Sequence, residues 1–282
     1  MPITPQELIA NLGDLPPLPQ VATQLLRVSA DPDASAEDLR KIISTDQALT
    51  SQILKIANSA MFGMMREVNT LTQAIMTLGF STIKSVVIAS SAKNLYHRGT
   101  VGLQERLIWE HALVTAIASR AFAKAVRFPR AEEAFIGGLM HDIGKSVMGV
   151  KFPERYGALL RTVYNEGGDS LVLELDTFGF DHAMVGEALV QAWNLAPSLQ
   201  QAVRWHHDPI HAREEHLPLA AIVALANHLA LEQKAGIGDP AHLEPATRQA
   251  MEILKLGPEA LDSHKETVRN AIEQDKTMIA EF

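Results

Sequence analysis

The chain has 282 residues, 47% of them hydrophobic, 5% aromatic and none cysteine, with a formal net charge of -8. That length suits about two domains, and an apolar load carried by Ala, Leu, Ile, Val and Met suits helix-on-helix packing, not a sandwich or barrel. No Lys/Arg block stands out, which excludes DNA as a partner because a phosphate backbone demands a clustered basic face; the lack of cysteine excludes disulfides and thiolate metal ligands.

In chain order, Met1-Pro2-Ile3-Thr4-Pro5 lacks the basic start and apolar run of a signal peptide. Thr4-Pro5-Gln6-Glu7 and Ser35-Ala36-Glu37-Asp38 each pair an N-cap hydroxyl with a carboxylate three residues on, predicting two helix starts. Leu113, Val114, Ile117, Ala118, Ala121, Phe122, Ala125 and Val126 form one amphipathic stripe, ended by Phe128-Pro129. A second stripe, Phe135, Ile136, Leu139, Met140 and Ile143, stops at Gly144, read as a C-cap. Leu171-Val172-Leu173 is too short to found a sheet. Further helices are predicted at 182–193, 197–207, 217–232, 244–255 and 258–279, with breaks at Gly99–Gly102, Gly167-Gly168 and Gly236–Pro240. The apolar run Leu217–Ala226 contains Pro218 and is far short of the roughly 20 residues that a bilayer requires. The expectation is a cytoplasmic protein with no membrane partner. All 11 histidines lie from His97 onward, which divides the chain into an N-terminal helical lobe (1–98), a histidine-bearing lobe (99–232) and a C-terminal helical extension (233–282).

His141-Asp142 is the sharpest local feature. Gly137 and Gly138 lie one helical turn earlier, beneath the pair, and let another helix or a ligand approach the imidazole and carboxylate. His111 shares a face with Val114 and Ala118. His182 follows Asp181, read as an N-cap, and aligns with Val185, Gly186 and Leu189. His206 aligns with Leu199, Ala202 and Val203, with His207 beside it and Asp208-Pro209 reading as a turn. Singly, a histidine on an apolar face is more often a hydrogen-bonded core residue; together, imidazoles and a carboxylate in a helical bundle are a means of holding Fe, Mn or Zn. His97, His211, His216, His242 and His264 read as surface residues, and His228, beside Asn227, fits either role. No phosphate-binding glycine loop, dinucleotide fingerprint or serine nucleophile elbow is present.

These residues resemble the motif ladder of the HD superfamily and, more closely, its HDOD branch. The resemblance is carried by Leu15-Pro16-Pro17-Leu18-Pro19, Asp46-Gln47-Ala48-Leu49, Ile56-Ala57-Asn58-Ser59-Ala60 and Ala74-Ile75-Met76-Thr77-Leu78-Gly79. It continues through Gly138–Lys145, Asp181–Gly186, Trp193-Asn194-Leu195 and His206–Pro209, covering about residues 12–232. It implies an all-α, two-lobe helical bundle, with an HD-domain-like C-terminal lobe packed on an N-terminal helical lobe. It also implies a signal-transduction module that acts through a protein partner, as output or scaffold. In the catalytic HD-GYP relatives the matching positions His111, His141, Asp142, His182, His206 and His207 hold metal. Asn227 stands where those enzymes have a closing aspartate, the glycine-tyrosine-proline segment is absent (Ile210-His211-Ala212-Arg213 stands there), and Leu107 replaces an additional carboxylate. A neutral carbonyl is a weaker ligand for a hard dication. The leading expectation is therefore a regulatory module with no assigned catalytic residue and no certain cofactor, Fe, Mn or Zn being the candidates. The rival is a metal-dependent phosphohydrolase acting on a nucleotide or cyclic dinucleotide, with Lys145 as a phosphate contact; the plainer role of Lys145 is a charge complementing a helix dipole. An iron- or pH-sensing histidine cluster is a third reading.

Overall fold

The computed structural model describes residues 4–10, 21, 23–25, 35–58, 67–96 and 103–274. The motif Leu15–Pro19, Ser59-Ala60, His97, the break at Gly99–Gly102 and the predicted helix end beyond 274 lie outside these residues. Every regular element is a helix, and no strand occurs among the described residues. The chain divides into two compact units, one of Met1–Leu15 with Leu95–Ile272 and the other of Pro16–Asn94 with Glu273–Phe282.

In the histidine-free unit, Ser35 accepts from Asp38 N while the Asp38 carboxylate accepts from Ser35 N, the reciprocal cap read from the sequence. That cap opens α2 (Ala36–Ile43), which buries Leu39 and Ile43. Asp46 caps α3 (Gln47–Ala57) through Leu49 N. Asn58 then binds both backbone groups of Val68, donating to its carbonyl at 2.8 Å and accepting from its N–H at 2.7 Å. This clasp leads to α4 (Leu71–Tyr96), which is kinked at Gly79.

The larger unit begins with α1 (Pro5–Ala10), where Thr4 and Glu7 cap each other as the sequence predicts. Its body comprises α5 (Leu103–Ala125), α6 (Ala131–Met140), α7 (Ile143–Lys151), α8 (Pro153–Glu166), α9 (Ser170–Phe178), α10 (His182–Ala192), α11 (Pro197–Trp205), α12 (Leu217–Glu232), α13 (Glu244–Leu254) and α14 (Pro258–Gln274). α5 pairs with α6, and α12 packs on α5, α13, α11 and α6. Consequently α12 is buried continuously from Leu219 to Ala230. A helix apolar on all sides belongs in a core, and no helix among the described residues is long and apolar enough to cross a membrane.

Leu171-Val172-Leu173 founds no sheet, as expected, and lies within helix α9, started by Asp169 accepting from Leu171 N at 2.9 Å. Two boundaries differ from the sequence reading. α5 ends at Ala125, before Phe128-Pro129, with Arg127 in the left-handed region (φ 57°). Gly144 is not a C-cap: α6 stops at Met140, and Gly144 lies in the first turn of α7. A Cβ there would collide with the His182 carbonyl oxygen and lie 2.8 Å from Gly186 N, so glycine is what lets α7 and α10 touch.

Candidate metal centre

His111 comes from α5, His141 and Asp142 from the joint between α6 and α7, His182 from the first residue of α10, and His206 with His207 from the end of α11. At the joint, the His141 ring donates from Nδ1 to the carbonyl of Gly138 at 2.6 Å. This contact ties the ring back onto the last turn of α6. Asp142 occupies the N-cap position of α7 without capping it, so its carboxylate faces inward. Beneath the pair, Gly138 lies flat on α5, where a Cβ would sit 2.7 Å from Thr115 O. This is the close helix approach expected from Gly137-Gly138. Asp181 caps α10 through Met184 N at 2.7 Å, placing His182 in the first turn.

All six predicted donors converge. His141, His182 and His206 are fully buried, Asp142 and His111 are buried, and His207 is half-buried. Four Nδ1 atoms face groups that only accept: Ala235 O for His111 (2.9 Å), Gly138 O for His141 (2.6 Å), Val203 O for His206 (2.8 Å) and a Glu174 carboxylate oxygen for His182 (2.7 Å). Each Nδ1 therefore carries a proton, which leaves Nε2 as the inward-facing atom that each ring can offer an ion. The Nε2 atoms of His111 and His141 are 3.2 Å apart, and that of His182 lies 3.4 Å from His206 and 3.1 Å from His207. Asp142 Oδ2 is 3.6 Å from His111 and 3.4 Å from His141, while Oδ1 is 3.1 Å from His182 and 3.8 Å from His206. The donors thus form two sets sharing Asp142: His111, His141 and Asp142, and Asp142, His182, His206 and His207, with all ligand atoms of a set within 4.8 Å of one another.

Lone pairs facing lone pairs in a dry interior repel unless a cation stands between them. Asp142 Oδ1 is itself buried without a hydrogen bond. Imidazole and carboxylate donors suit Zn, Fe or Mn, so the residues present fit a transition-metal centre.

The surrounding charges polarise the site. Burial pushes His111 down to about 4, and pushes His206 and His207 well below the usual histidine range, reinforced by neighbouring imidazoles. Burial opposes the charged form of His182 most strongly, but the Glu174 carboxylate and Asp142 together outweigh it and lift the ring to about 9. For Asp142, burial is outweighed by His141 and Lys145, which hold the carboxyl well below its ordinary value. The Lys145 ammonium donates to Asp142 Oδ2 at 2.7 Å.

Glu174 was not read from the sequence as a site residue. It is fully buried, yet it belongs to α9, whose Val172 and Leu175 are exposed. The only available signal was a carboxylate set amid Leu171-Val172-Leu173 and Leu175. Asn227 lies buried on α12. It lines a cavity of about 30 Å³ with His111, Lys145, His207 and Asp239. A second cavity, about 10 Å³, touches His111 and Asp142. A third, about 100 Å³, lies between Tyr96, Gln104, Lys145 and Tyr156, and Lys145 lines all three.

Among the described residues, the remaining histidines lie outside the two donor sets. His228 is a structural core residue, bonded to Thr247 Oγ1 at 2.8 Å and to Glu232 at 3.0 Å. His211 and His242 are exposed as expected, whereas His216 and His264 are half-buried. Asp208 accepts from Gln249 at 2.8 Å.

A helical unit with two imidazole sets around one shared aspartate, Asp142 of the His141-Asp142 pair, is HD-like in its arrangement. Residues 15–209 match the HDOD domain model, and the chain belongs to the HDOD domain family. An uncharacterized protein of Treponema pallidum (strain Nichols) is 29% identical over 218 residues, 77% of this chain and 42% of that protein, so the chain spans less than half of its relative's length. Among solved structures, an HDOD domain protein of unknown function from Geobacter sulfurreducens superposes with a TM-score of 0.78 at 22% identity, covering 95% of this chain and 96% of that one. A candidate phosphohydrolase of Shewanella amazonensis SB2B gives 0.73 at 25% identity, covering 95% and 97%. A candidate signal transduction protein of Marinobacter aquaeolei VT8 gives 0.74 at 22% identity, covering 95% of this chain and 60% of that one.

Proposed function

We propose that this chain is a regulatory HDOD module that holds transition-metal ions in its buried histidine centre and acts by engaging a protein partner in a signalling pathway. His111, His141 and Asp142 would hold one ion, and Asp142, His182, His206 and His207 the other. The observation that carries the reading is the enclosure of these donors. Two cavities that reach them among the described residues measure about 30 and 10 Å³. A water needs about 10–15 Å³, and a site for a drug-sized ligand about 300–1,000 Å³. A centre so closed suits ions and water, not a cyclic dinucleotide. The neutral Asn227 works in the same direction, because it withholds the anionic oxygen that a hard dication prefers.

The alternative is a phosphohydrolase, favoured by Asp142 serving both donor sets with Lys145 at the junction of the cavities. Paired divalent ions polarise phosphoryl oxygens and acidify water. Lys145 would bind phosphate, and the imidazoles would orient the ions.

Elemental analysis of untagged protein purified without chelator should find bound Fe, Mn or Zn, with no turnover of generic phosphodiesters or cyclic dinucleotides. Asn227→Asp should tighten metal binding by about tenfold, the effect of one added anionic oxygen near a dication, still without turnover. Wild-type turnover that disappears in a His141→Ala, Asp142→Ala variant would replace the regulatory reading with the catalytic one.

A further inference from the structure

α9 breaks the usual rule of burial. Among Ser170–Phe178 the residue fully removed from water is Glu174, while Val172 is 53% and Leu175 45% exposed. Helix packing for stability alone would turn the leucine and valine inward and the carboxylate out. A local rule broken in this way marks a residue retained for what it holds.

Every oxygen of that carboxylate is engaged. One accepts from both the backbone N–H and the Nδ1–H of His182, each at 2.7 Å. The other accepts from the Tyr156 hydroxyl at 2.7 Å, and Tyr156 is itself fully buried. Tyr156 therefore fixes the carboxylate from α8, and the carboxylate fixes the ring of α10. His111, His141 and His206 rest their Nδ1 atoms on backbone carbonyls. Among these four rings, His182 is the one held by a charged side chain, and a carboxylate on the outer nitrogen orients an imidazole and raises its basicity as a ligand.

We infer that Glu174 is a positioning residue for the metal centre, holding the His182 ring so that Nε2 faces Asp142, His206 and His207, with Tyr156 fixing Glu174 in turn. This rests on the metal-holding reading above. It implies that the two ion positions depend on Glu174 unequally: the position at His182, His206 and His207 needs it, and the position at His111 and His141 does not.

Zn2+ titration of the full chain against a chromophoric chelator tests this. Wild type should take up two ions. Glu174→Ala should weaken one of them about 10–100-fold, the usual cost of losing an outer-shell partner, and leave the other in place. Glu174→Gln can still accept both His182 N–H groups through its amide oxygen, so it should lose less than the alanine variant, and Tyr156→Phe less again. The 15N-histidine spectrum should show the His182 Nδ1 proton altered most in Glu174→Ala and less in Glu174→Gln. If Glu174→Ala fails to fold, the glutamine and phenylalanine variants carry the test. Zn2+ binding equal to wild type in folded variants, with only the melting temperature lowered, would make Glu174 a structural staple and overturn the inference while leaving the metal centre standing. A wild type that takes up no Zn2+ would overturn both.

Discussion

The two donor sets meet at one carboxylate, yet they are built differently. His111 and His182 are both buried against Asp142, and one is pushed down to about 4 while the other is lifted to about 9. The difference lies behind the rings. Behind His111 stands the neutral carbonyl of Ala235, and behind His182 the charged Glu174. Burial alone drives an imidazole toward neutrality; at His182 the Glu174 carboxylate on the outer nitrogen, together with Asp142 on the inner one, reverses the sign. The atom behind a ligand thus decides its charge as much as the atoms in front of it.

The sharpest way to break this comparison is to remove what the sets share. Asp142→Asn should abolish tight metal binding in both sets. It should also lower the unfolding free energy by about 3–5 kcal/mol in urea denaturation, because Lys145 stays buried without its partner. Loss of only one ion would show that Asp142 is not common to the two.

Varying pH on metal-free protein sharpens the contrast without mutation. His182, lifted in the folded state, contributes stability below its unfolded value near 6.5, and that contribution fades as pH rises through about 9. His111, lowered, does the reverse: its neutral form is fully favoured above 6.5, and stability is lost as pH falls toward 4. Stability should therefore peak near neutrality and fall on both sides, on the order of 3 kcal/mol per group over each limb. Saturating Zn2+ should flatten the alkaline limb, where metal replaces the His182 proton. A monotonic profile in the metal-free protein would show that the two rings do not differ as described.

A smaller effect distinguishes the sets by backbone alone. Gly144→Ala must push α7 away from α10, at a cost of about 1–3 kcal/mol for overpacking. It should disturb metal binding at the His182 set more than at the His111 set. Equal disturbance of both would mean that the joint moves as one piece.

Much of this arrangement was legible in the sequence. The six donors were readable because histidines on apolar faces, spaced as in the HD ladder, rarely have so many partners without a common purpose. Helices α10 to α13 were readable from their caps and periodicity to within a residue or two. The break at His141 was not, since Phe135 to Ile143 keeps a helical period straight through it. The backbone leaves the helical region at Asp142 (φ -100°, ψ 8°), just after the His141 ring bonds back to Gly138 O, and no apolar pattern records that. Glu174 escaped for a related reason: its role depends on a histidine eight residues away and a tyrosine eighteen residues away, reached only after α8, α9 and α10 have packed.

The continuous burial of α12 bears on how this family is cut into fragments. The HDOD match ends at residue 209, before α12 begins. A fragment trimmed to that match would lose Asn227, and with it the carbonyl of Ala235 that steadies His111. It would also leave the faces of α5, α6 and α11 that α12 covers open to water, an invitation to self-association. The segment that recognises the family and the segment that can stand alone in solution are therefore of different lengths.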